Sequence, residues 1–246
     1  MRVQSTSATT LDEIFHYLQQ ADKPCLVAID EFQQILKYGN TQVEAALRTH
    51  IQYCSNAHFV FSGSQRHLMG SIFTSPARPF YQSVTIINLT TIALPKYSEF
   101  CHRQFALDGK TVDDCLIEQL YNQFEGITFY LQKVMNILYM RTPKGGHCKA
   151  DELQPAIDYI IDFTADIYRD LMYQLPEKQN LVLRAISREG KANQIKSGTF
   201  VKKHALVSVS SVNSAVKALM DKDLVTQEQG YYQLYDKFLA IWLNRQ

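Results

Sequence analysis

The sequence predicts three successive parts: a partial parallel α/β sheet, an all-helical subdomain and a C-terminal winged helix-turn-helix. Two short apolar runs that end in polar residues, at 26–31 and 59–64, indicate neighbouring buried strands. Helical periodicity takes over from position 94, and the C-terminal segment shows three helical patterns followed by two strand-like runs. We therefore expect boundaries at 1–93, 94–172 and 173–246.

The composition is that of an ordinary globular protein. Hydrophobic residues make up 46% and charged residues 20%, and the formal net charge is +1. A charge this close to zero gives no global attraction to nucleic acid or membrane, so any such contact must come from a local patch. No apolar run approaches the roughly 18 residues of a membrane span, and the N-terminus shows no signal-peptide pattern.

The cysteines favour a reducing compartment. Their number is odd and no CxxC pair occurs, which argues against a disulfide framework and against a zinc site. We therefore expect free thiols in a cytoplasmic protein. The five cysteines are Cys25, Cys54, Cys101, Cys115 and Cys148.

The segment around which the α/β part is organised is LVAIDE, residues 26–31. A continuous apolar run that ends in two carboxylates predicts a buried parallel strand with charged side chains at its C-terminal end, where ligands bind in open α/β sheets. Asp30 would hold hydrated Mg²⁺, and Glu31 would orient or deprotonate a water molecule. This arrangement is similar to the Walker B segment of P-loop ATPases of the AAA+ kind. The alternative is a strand that simply ends at an acidic helix cap.

The segments that follow extend this pattern. FVFSGS, residues 59–64, predicts a second buried strand, and Ser62 or Ser64 at its end would sense a γ-phosphate or position the attacking water. SPARPFY, residues 75–81, contains two prolines and predicts a loop. Arg78 in this loop is either an arginine finger that reaches a nucleotide phosphate or an ordinary solvated arginine. VTIINL, residues 84–89, predicts a third strand.

The remaining chain predicts helices and one hairpin. In the helical subdomain we expect helices over 97–106, 112–124, 128–139 and 151–171, the last either continuous or broken near Phe163. In the C-terminal part we expect helices over 177–187, 198–205 and 210–222, the third capped by Ser210 and Ser211. Strands over 224–229 and 231–235 would turn at Gln229-Gly230, and a last helix over 236–243 would close the domain.

Taken together, these segments resemble the archaeal-type ATPase family, a STAND-like branch of the AAA+ ATPases. The resemblance covers nearly the whole chain and is most specific in LVAIDEFQQI and in the terminal YYQLYDKFLAIWL. It implies that Asp30 binds Mg²⁺ through water, that Glu31 is the catalytic base and that Ser62 or Ser64 is the sensor. It also implies ATP as the bound nucleotide and leaves a homo-oligomer open. One departure is that Gly126-Ile127-Thr128 replaces the Gly-x-Pro that members usually carry in the lid.

The second departure is that no P-loop precedes Leu26. GKT at 109–111 is a poor substitute, because Gln104 replaces the first glycine and the segment follows LVAIDE in the chain. We expect Gly109 to end a helix instead. The sequence therefore suggests an N-terminally truncated ATPase, which alone would bind ATP weakly or not at all and would be inactive.

The C-terminal part carries a modest basic patch. Residues 188–223 contain seven lysines or arginines and three aspartates or glutamates. The alternative to DNA binding is a module for packing, regulation or protein interaction, since the third helix has no arginine. The candidate DNA contacts are Lys202, Lys203, Ser211, Asn213, Ser214 and Lys217.

From the sequence, the best-supported function is the C-terminal part of an ATP-dependent, Mg²⁺-dependent switch of the AAA+ class. In an intact protein, the nucleotide state would set the positions of the lid and the winged helix. The alternative is a non-enzymatic module that binds duplex DNA or a protein through the winged helix.

Overall fold

A computed structural model describes residues 7–39, 41–228 and 230–246 of the chain. It divides into two compact units, Met1–Leu89 and Thr90–Gln246. The first six residues and Gln229 of the expected hairpin turn lie outside the described ranges. No helix in those ranges is long and apolar enough to cross a membrane.

The first unit combines four helical segments with two strands. Its first helix begins at Ser7. The elements are α1 (Ser7–Gln20), β1 (Cys25–Ile29), a 3-10 helix (Phe32–Tyr38), α2 (Thr41–Tyr53), β2 (Ala57–Phe61) and α3 (Arg66–Thr74).

Strands β1 and β2 form a two-stranded parallel sheet. Cys25 pairs with Ala57 and Ile29 pairs with Phe61, so the register is in step along the whole sheet. Parallel pairing brings both C-terminal ends to the same edge. As a result, the residues that follow the strands, from Asp30 and from Ser62, emerge side by side.

The sheet is covered on one face, whereas both strands were expected to be fully buried. Val27, Ile29 and Phe59 alternate toward the helices, whereas Leu26 is 74% exposed and Val60 points the same way. The strict alternation follows from the period of two in a strand. The continuous apolar run predicted that both faces of the sheet would be packed, but in the structure only one face is.

The expected third strand over 84–89 does not form. This segment has no regular structure, and Ile87 is largely exposed. β-branched residues favour a strand only when a neighbouring strand offers a ladder and a packed face. Neither is present here, so the propensity of VTIINL is not realised.

An aromatic cluster holds the proline-containing loop in place. Phe80, from the loop, is almost completely buried against Phe32, Phe61 and Phe73, with ring centroids 5.4–5.9 Å away. Edge-to-face packing of this kind stabilises the aromatic pairs beyond simple burial. The loop is therefore anchored at one end although it lacks regular structure.

The second unit begins with the helical subdomain. Its helices are α4 (Leu94–Ala106), α5 (Asp114–Gln123), α6 (Thr128–Arg141) and α7 (Leu153–Gln174). Two short strands that the sequence did not suggest, β3 (Thr111–Val112) and β4 (His147–Cys148), pair in parallel. Val112 therefore lies in a strand and not in α5, and α7 continues through Phe163 without a break.

The winged helix-turn-helix follows in the same unit. It consists of α8 (Glu177–Glu189), α9 (Gly198–Lys203), α10 (Val209–Asp221), the antiparallel strands β5 (Val225–Glu228) and β6 (Tyr231–Leu234), and α11 (Lys237–Asn244). The cap of α10 is Ser208, which accepts a hydrogen bond from the Ser211 amide, and not Ser210 or Ser211 as expected. Its backbone is extended, as a capping residue requires.

The helical subdomain and the winged helix share one hydrophobic core. Tyr130 of α6 packs against Phe238 of α11, with ring centroids 5.1 Å apart, and its hydroxyl donates to the Tyr235 carbonyl. Tyr168 of α7 packs against Trp242 and donates to Asp236, the residue that caps α11. These contacts join the two parts into one folding unit.

An ion pair cluster reinforces the same connection. Glu125, between α5 and α6, pairs with Lys191 at 2.7 Å and with Lys237 at 3.0 Å. The hydrogen bond from Lys191, together with Lys237, holds the pKa of Glu125 below its usual value. This carboxylate therefore connects the helical subdomain to the winged helix at two points, after α8 and at the start of α11.

Candidate functional site

The clearest polar site lies at the edge where β1 and β2 end. The Ser62 hydroxyl donates to Asp30 Oδ1 at 2.6 Å, and the Glu31 amide donates to the same oxygen at 2.9 Å. These two bonds, the serine first, hold the pKa of Asp30 below its usual value. The carboxylate is thus exposed and charged at neutral pH.

The backbone turns sharply between the strand and the following 3-10 helix. Glu31 has φ 50° and ψ 39°, a left-handed conformation that is uncommon for a residue with a side chain. The turn is held by the Phe32 amide, which donates to the Ser62 carbonyl at 2.9 Å. Strained residues of this kind cluster at functional sites, where the surrounding structure fixes them.

The Glu31 side chain is held by two neighbours. Gln33 donates to Glu31 Oε2 through its amide nitrogen, and Ser64 donates to the same oxygen at 3.3 Å. Gln33 is buried, and its Oε1 has no partner within the part of the chain that the structure describes. Sequence reasoning missed Gln33, although its position two residues after Glu31 was a usable signal.

Gly63 is required by close approach. A Cβ at this position would overlap Gln33 Oε1 and would lie 2.7 Å from Met69 Sδ. A side chain there would push Gln33 away from Glu31. The Ser62 hydroxyl therefore reaches Asp30 and the Ser64 hydroxyl reaches Glu31. Gly63 between them leaves room for Gln33.

The donor set at this edge fits a hard cation. Carboxylate and hydroxyl oxygens suit Mg²⁺, which usually keeps several waters and takes only one or two carboxylates from the protein. Within residues 7–39, 41–228 and 230–246, no group of three or more histidine, cysteine, aspartate or glutamate residues forms a closed metal cage. Asp30 with a bound nucleotide would match the open type of site, whereas a structural zinc site would not fit.

Arg78 forms an ion pair with Glu44 of α2. Its Nη1 donates to Glu44 Oε2 at 3.0 Å, and the Glu44 side chain is almost completely buried. The second carboxylate oxygen of Glu44 has no partner among the described residues. Removing the arginine would leave a buried charge unpaired, which is strongly destabilising.

The GKT segment has a structural role. Lys110 is buried, donates to the Tyr139 carbonyl at 2.9 Å, and its ammonium lies 3.8 Å from the Tyr139 ring centroid. Thr111 begins β3, and Gly109 makes the turn after α4 with φ 67°. A phosphate-binding lysine needs a free ammonium beside a helix N-terminus, and Lys110 offers neither.

The candidate DNA contacts divide into two groups. Asn213, Ser214 and Lys217 are exposed along α10, whereas Ser211 is half-buried and its amide is bonded to Ser208. Lys202 is exposed on α9, while Lys203 pairs with Glu189 at 2.5 Å. The structure therefore leaves Lys202 and Lys217 as the charged members of the set that no described carboxylate neutralises.

Comparisons with known proteins agree with this architecture. Residues 166–245 match a family model described as a probable winged helix domain. The structure is similar to a Walker-type ATPase of Pyrococcus abyssi, with a TM-score of 0.66 over 98% of this chain and 69% of that chain at 16% identity. It is also aligned with Thermotoga maritima RuvB, described as a Holliday junction branch migration motor, at a TM-score of 0.49, 13% identity and coverage of 94% and 73%. The search of curated proteins found no match.

The chain shares the fold of a Walker-type ATPase, with polar residues at the carboxyl ends of two parallel strands. Its C-terminal region matches a winged helix domain.

Replacing the hydroxyl that holds Asp30 tests the electrostatics of this edge. In Ser62→Ala, we expect the pKa of Asp30 to rise, because the largest interaction that stabilises its charged form is lost. The pKa is measured by following the side-chain carboxyl carbon during an NMR titration. Ser64→Ala is the matched control, since that hydroxyl bonds Glu31, and an unchanged Asp30 pKa in Ser62→Ala would contradict the arrangement.

Proposed function

We propose that the chain is part of a nucleotide-dependent switch of the STAND-like AAA+ class, in which Asp30 and Glu31 form the Walker B pair. The hydrogen bond between Asp30 and Ser62 is the observation that most supports the proposal, because it joins a charged carboxylate and a hydroxyl at the ends of two adjacent parallel strands. This is the edge at which α/β folds of this kind bind their ligands. The shared fold with a Walker-type ATPase supports the same conclusion.

Each residue at the edge has a role in this proposal. Asp30 holds Mg²⁺ through water, and the ion neutralises charge on the nucleotide phosphates when it is bound. Glu31 orients or deprotonates a water molecule, and Gln33 and Ser64 fix the direction of its carboxylate. Ser62 stabilises the charged form of Asp30 through its hydrogen bond, and Ser64 would sense the terminal phosphate.

We propose further that the phosphate contacts come from a segment outside these 246 residues. The bare face of the β1–β2 sheet, with Leu26 exposed, supports this, since parallel sheets in such folds are covered on both faces. The unformed strand at 84–89 is explained in the same way, because it would need an intervening strand as its partner. That additional strand would carry the loop whose amides bind phosphate.

The proposal predicts weak nucleotide binding by this chain alone. Without a phosphate cradle, a few water-mediated contacts at Asp30 should give a dissociation constant for Mg-ATP of about 1 mM or weaker. Calorimetry with Mg-ATP measures it. Asp30→Asn should remove whatever binding remains.

Asp22→Asn is the matched control, since this exposed residue lies before β1, at the opposite end of the strand. Micromolar affinity in the wild type that survives in Asp30→Asn would contradict the proposed role of the strand edge. Micromolar affinity that Asp30→Asn abolishes would support the proposed role of the strand edge but would refute the need for an additional segment.

A second candidate function is DNA binding by the winged helix. The exposed face of α10 supports it, because Asn213, Ser214 and Lys217 share one side of a helix whose other side is buried. A helix presented in this way suits the major groove. The patch is nevertheless small, since Lys203 is paired within the protein.

For this candidate, Lys217→Ala should weaken binding to a fluorescent DNA duplex about uniformly across sequences and reduce the salt slope by about one. Fluorescence anisotropy between low and moderate salt measures both quantities. Lys144→Ala, an exposed lysine of the helical subdomain, is the control. If the wild type does not bind at low salt, the winged helix is a protein-interaction or packing module.

A further inference from the structure

Helix α7 carries an exposed face that the proposed nucleotide site and the winged helix do not explain. Phe163 is 78% exposed and Ile167 is 65% exposed, one turn apart, and Tyr159 lies one turn before them. Tyr159 and Phe163 already stack, with ring centroids 6.4 Å apart. Exposed apolar residues that are contiguous, unlike scattered ones, mark interaction surfaces.

The apolar residues are interleaved with aspartates. Asp158, Asp162 and Asp166 each precede one of the three apolar residues, and Asp170 continues the four-residue spacing. At 3.6 residues per turn, this spacing keeps a row on one side of a helix for several turns. The face therefore combines a stripe of large apolar groups with a row of carboxylates.

Two of these carboxylates are free to pair with a partner. Asp158 is bonded to Arg245, and Asp166 is bonded to Arg169. Asp162 and Asp170 are exposed and have no cationic partner among the described residues. Arg141 lies over the Tyr159 ring, so the positive charge contributed by other elements is confined to one end of the stripe.

The opposite side of the helix explains why the stripe is not part of the core. Ile160, Ile161 and Tyr168 of α7 are buried in the shared core of the second unit. The helix therefore packs into the core through that side. Phe163 and Ile167 stay largely exposed in the folded unit, so a second surface that covers them would bury apolar area and gain free energy.

We propose that this face, defined by Tyr159, Asp162, Phe163, Ile167 and Asp170, is a docking surface for a basic amphipathic helix of another protein. The apolar stripe matches the apolar side of such a helix, which docks through residues at helical spacing. The two free aspartates match lysine or arginine on its flanks, and charge complementarity of this kind sets orientation and specificity. The same charges disfavour a nucleic acid partner.

The test uses a fluorescein-labelled peptide helix of about five turns, with leucines along one side and lysines flanking them. It should bind the full-length chain, measured by fluorescence anisotropy. A peptide of identical composition in scrambled order, and one with glutamate in place of lysine, should bind much more weakly. Raising the salt concentration should weaken the binding because free carboxylates contribute to it.

Two double variants assign the site. Phe163→Ser with Ile167→Ser should weaken binding about tenfold or more, as expected for central apolar anchors. Asp162→Asn with Asp170→Asn should weaken it by a smaller factor and flatten the salt dependence. All four side chains are exposed, so the variants should remain folded, which circular dichroism checks.

Matched controls remove the same chemistry elsewhere in the unit. Leu107→Ser with Met140→Ser replaces residues that are 73% and 70% exposed, and Glu99→Gln with Glu118→Gln removes two exposed carboxylates. Neither pair should change binding. Equal losses in test and control variants, or no binding of the ordered peptide by the wild type, would overturn the proposal.

Sedimentation velocity tests the remaining alternative, in which a second copy of this chain covers the face. If the wild type self-associates and Phe163→Ser with Ile167→Ser makes it monomeric, the face is covered by a second copy of this chain, and the proposed basic partner is wrong. None of these measurements depends on nucleotide, so their failure is distinguishable from failure of the proposed nucleotide site.

Discussion

The parallel register of β1 and β2 is the constraint on which the candidate site depends. Because Cys25 pairs with Ala57 and Ile29 with Phe61, the two strands end together, and Asp30 meets Ser62 within hydrogen-bonding distance. A shift of one residue would turn these side chains to opposite faces of the sheet. The left-handed turn at Glu31 and the space left by Gly63 then fix the second carboxylate. The chemistry of the edge is thus a consequence of strand pairing.

The second unit is held together by packing between its two parts. Its stability comes from a continuous core in which Tyr130, Tyr168 and Trp242 join the helical subdomain to the winged helix. Glu125 adds charged contacts to Lys191 and Lys237 across the same junction. This core uses the side of α7 that carries Ile160, Ile161 and Tyr168, whereas Phe163 and Ile167 on the other side are exposed.

The sequence predicted those features that depend on local pattern. LVAIDE and FVFSGS indicated adjacent strands with polar ends, and the helical periodicity of α5 to α11 gave the helices to within a few residues. It did not predict features that depend on pairing. VTIINL had the propensity of a strand but no partner, and β3 and β4 are too short to show a period of two. The bond between Arg78 and Glu44 joins residues distant in sequence, so no local signal could indicate it.

We propose that the carboxyl ends of β1 and β2 bind the metal ion of a nucleotide. Paramagnetic broadening of backbone NMR signals by Mn-ATP would test this. Mn²⁺ replaces Mg²⁺ and broadens the signals of residues close to it, even when it binds weakly. We expect broadening that is confined to residues around Asp30 and Ser62, is abolished in Asp30→Asn and is retained in Asp22→Asn. Broadening centred elsewhere, or unchanged in Asp30→Asn, would contradict it.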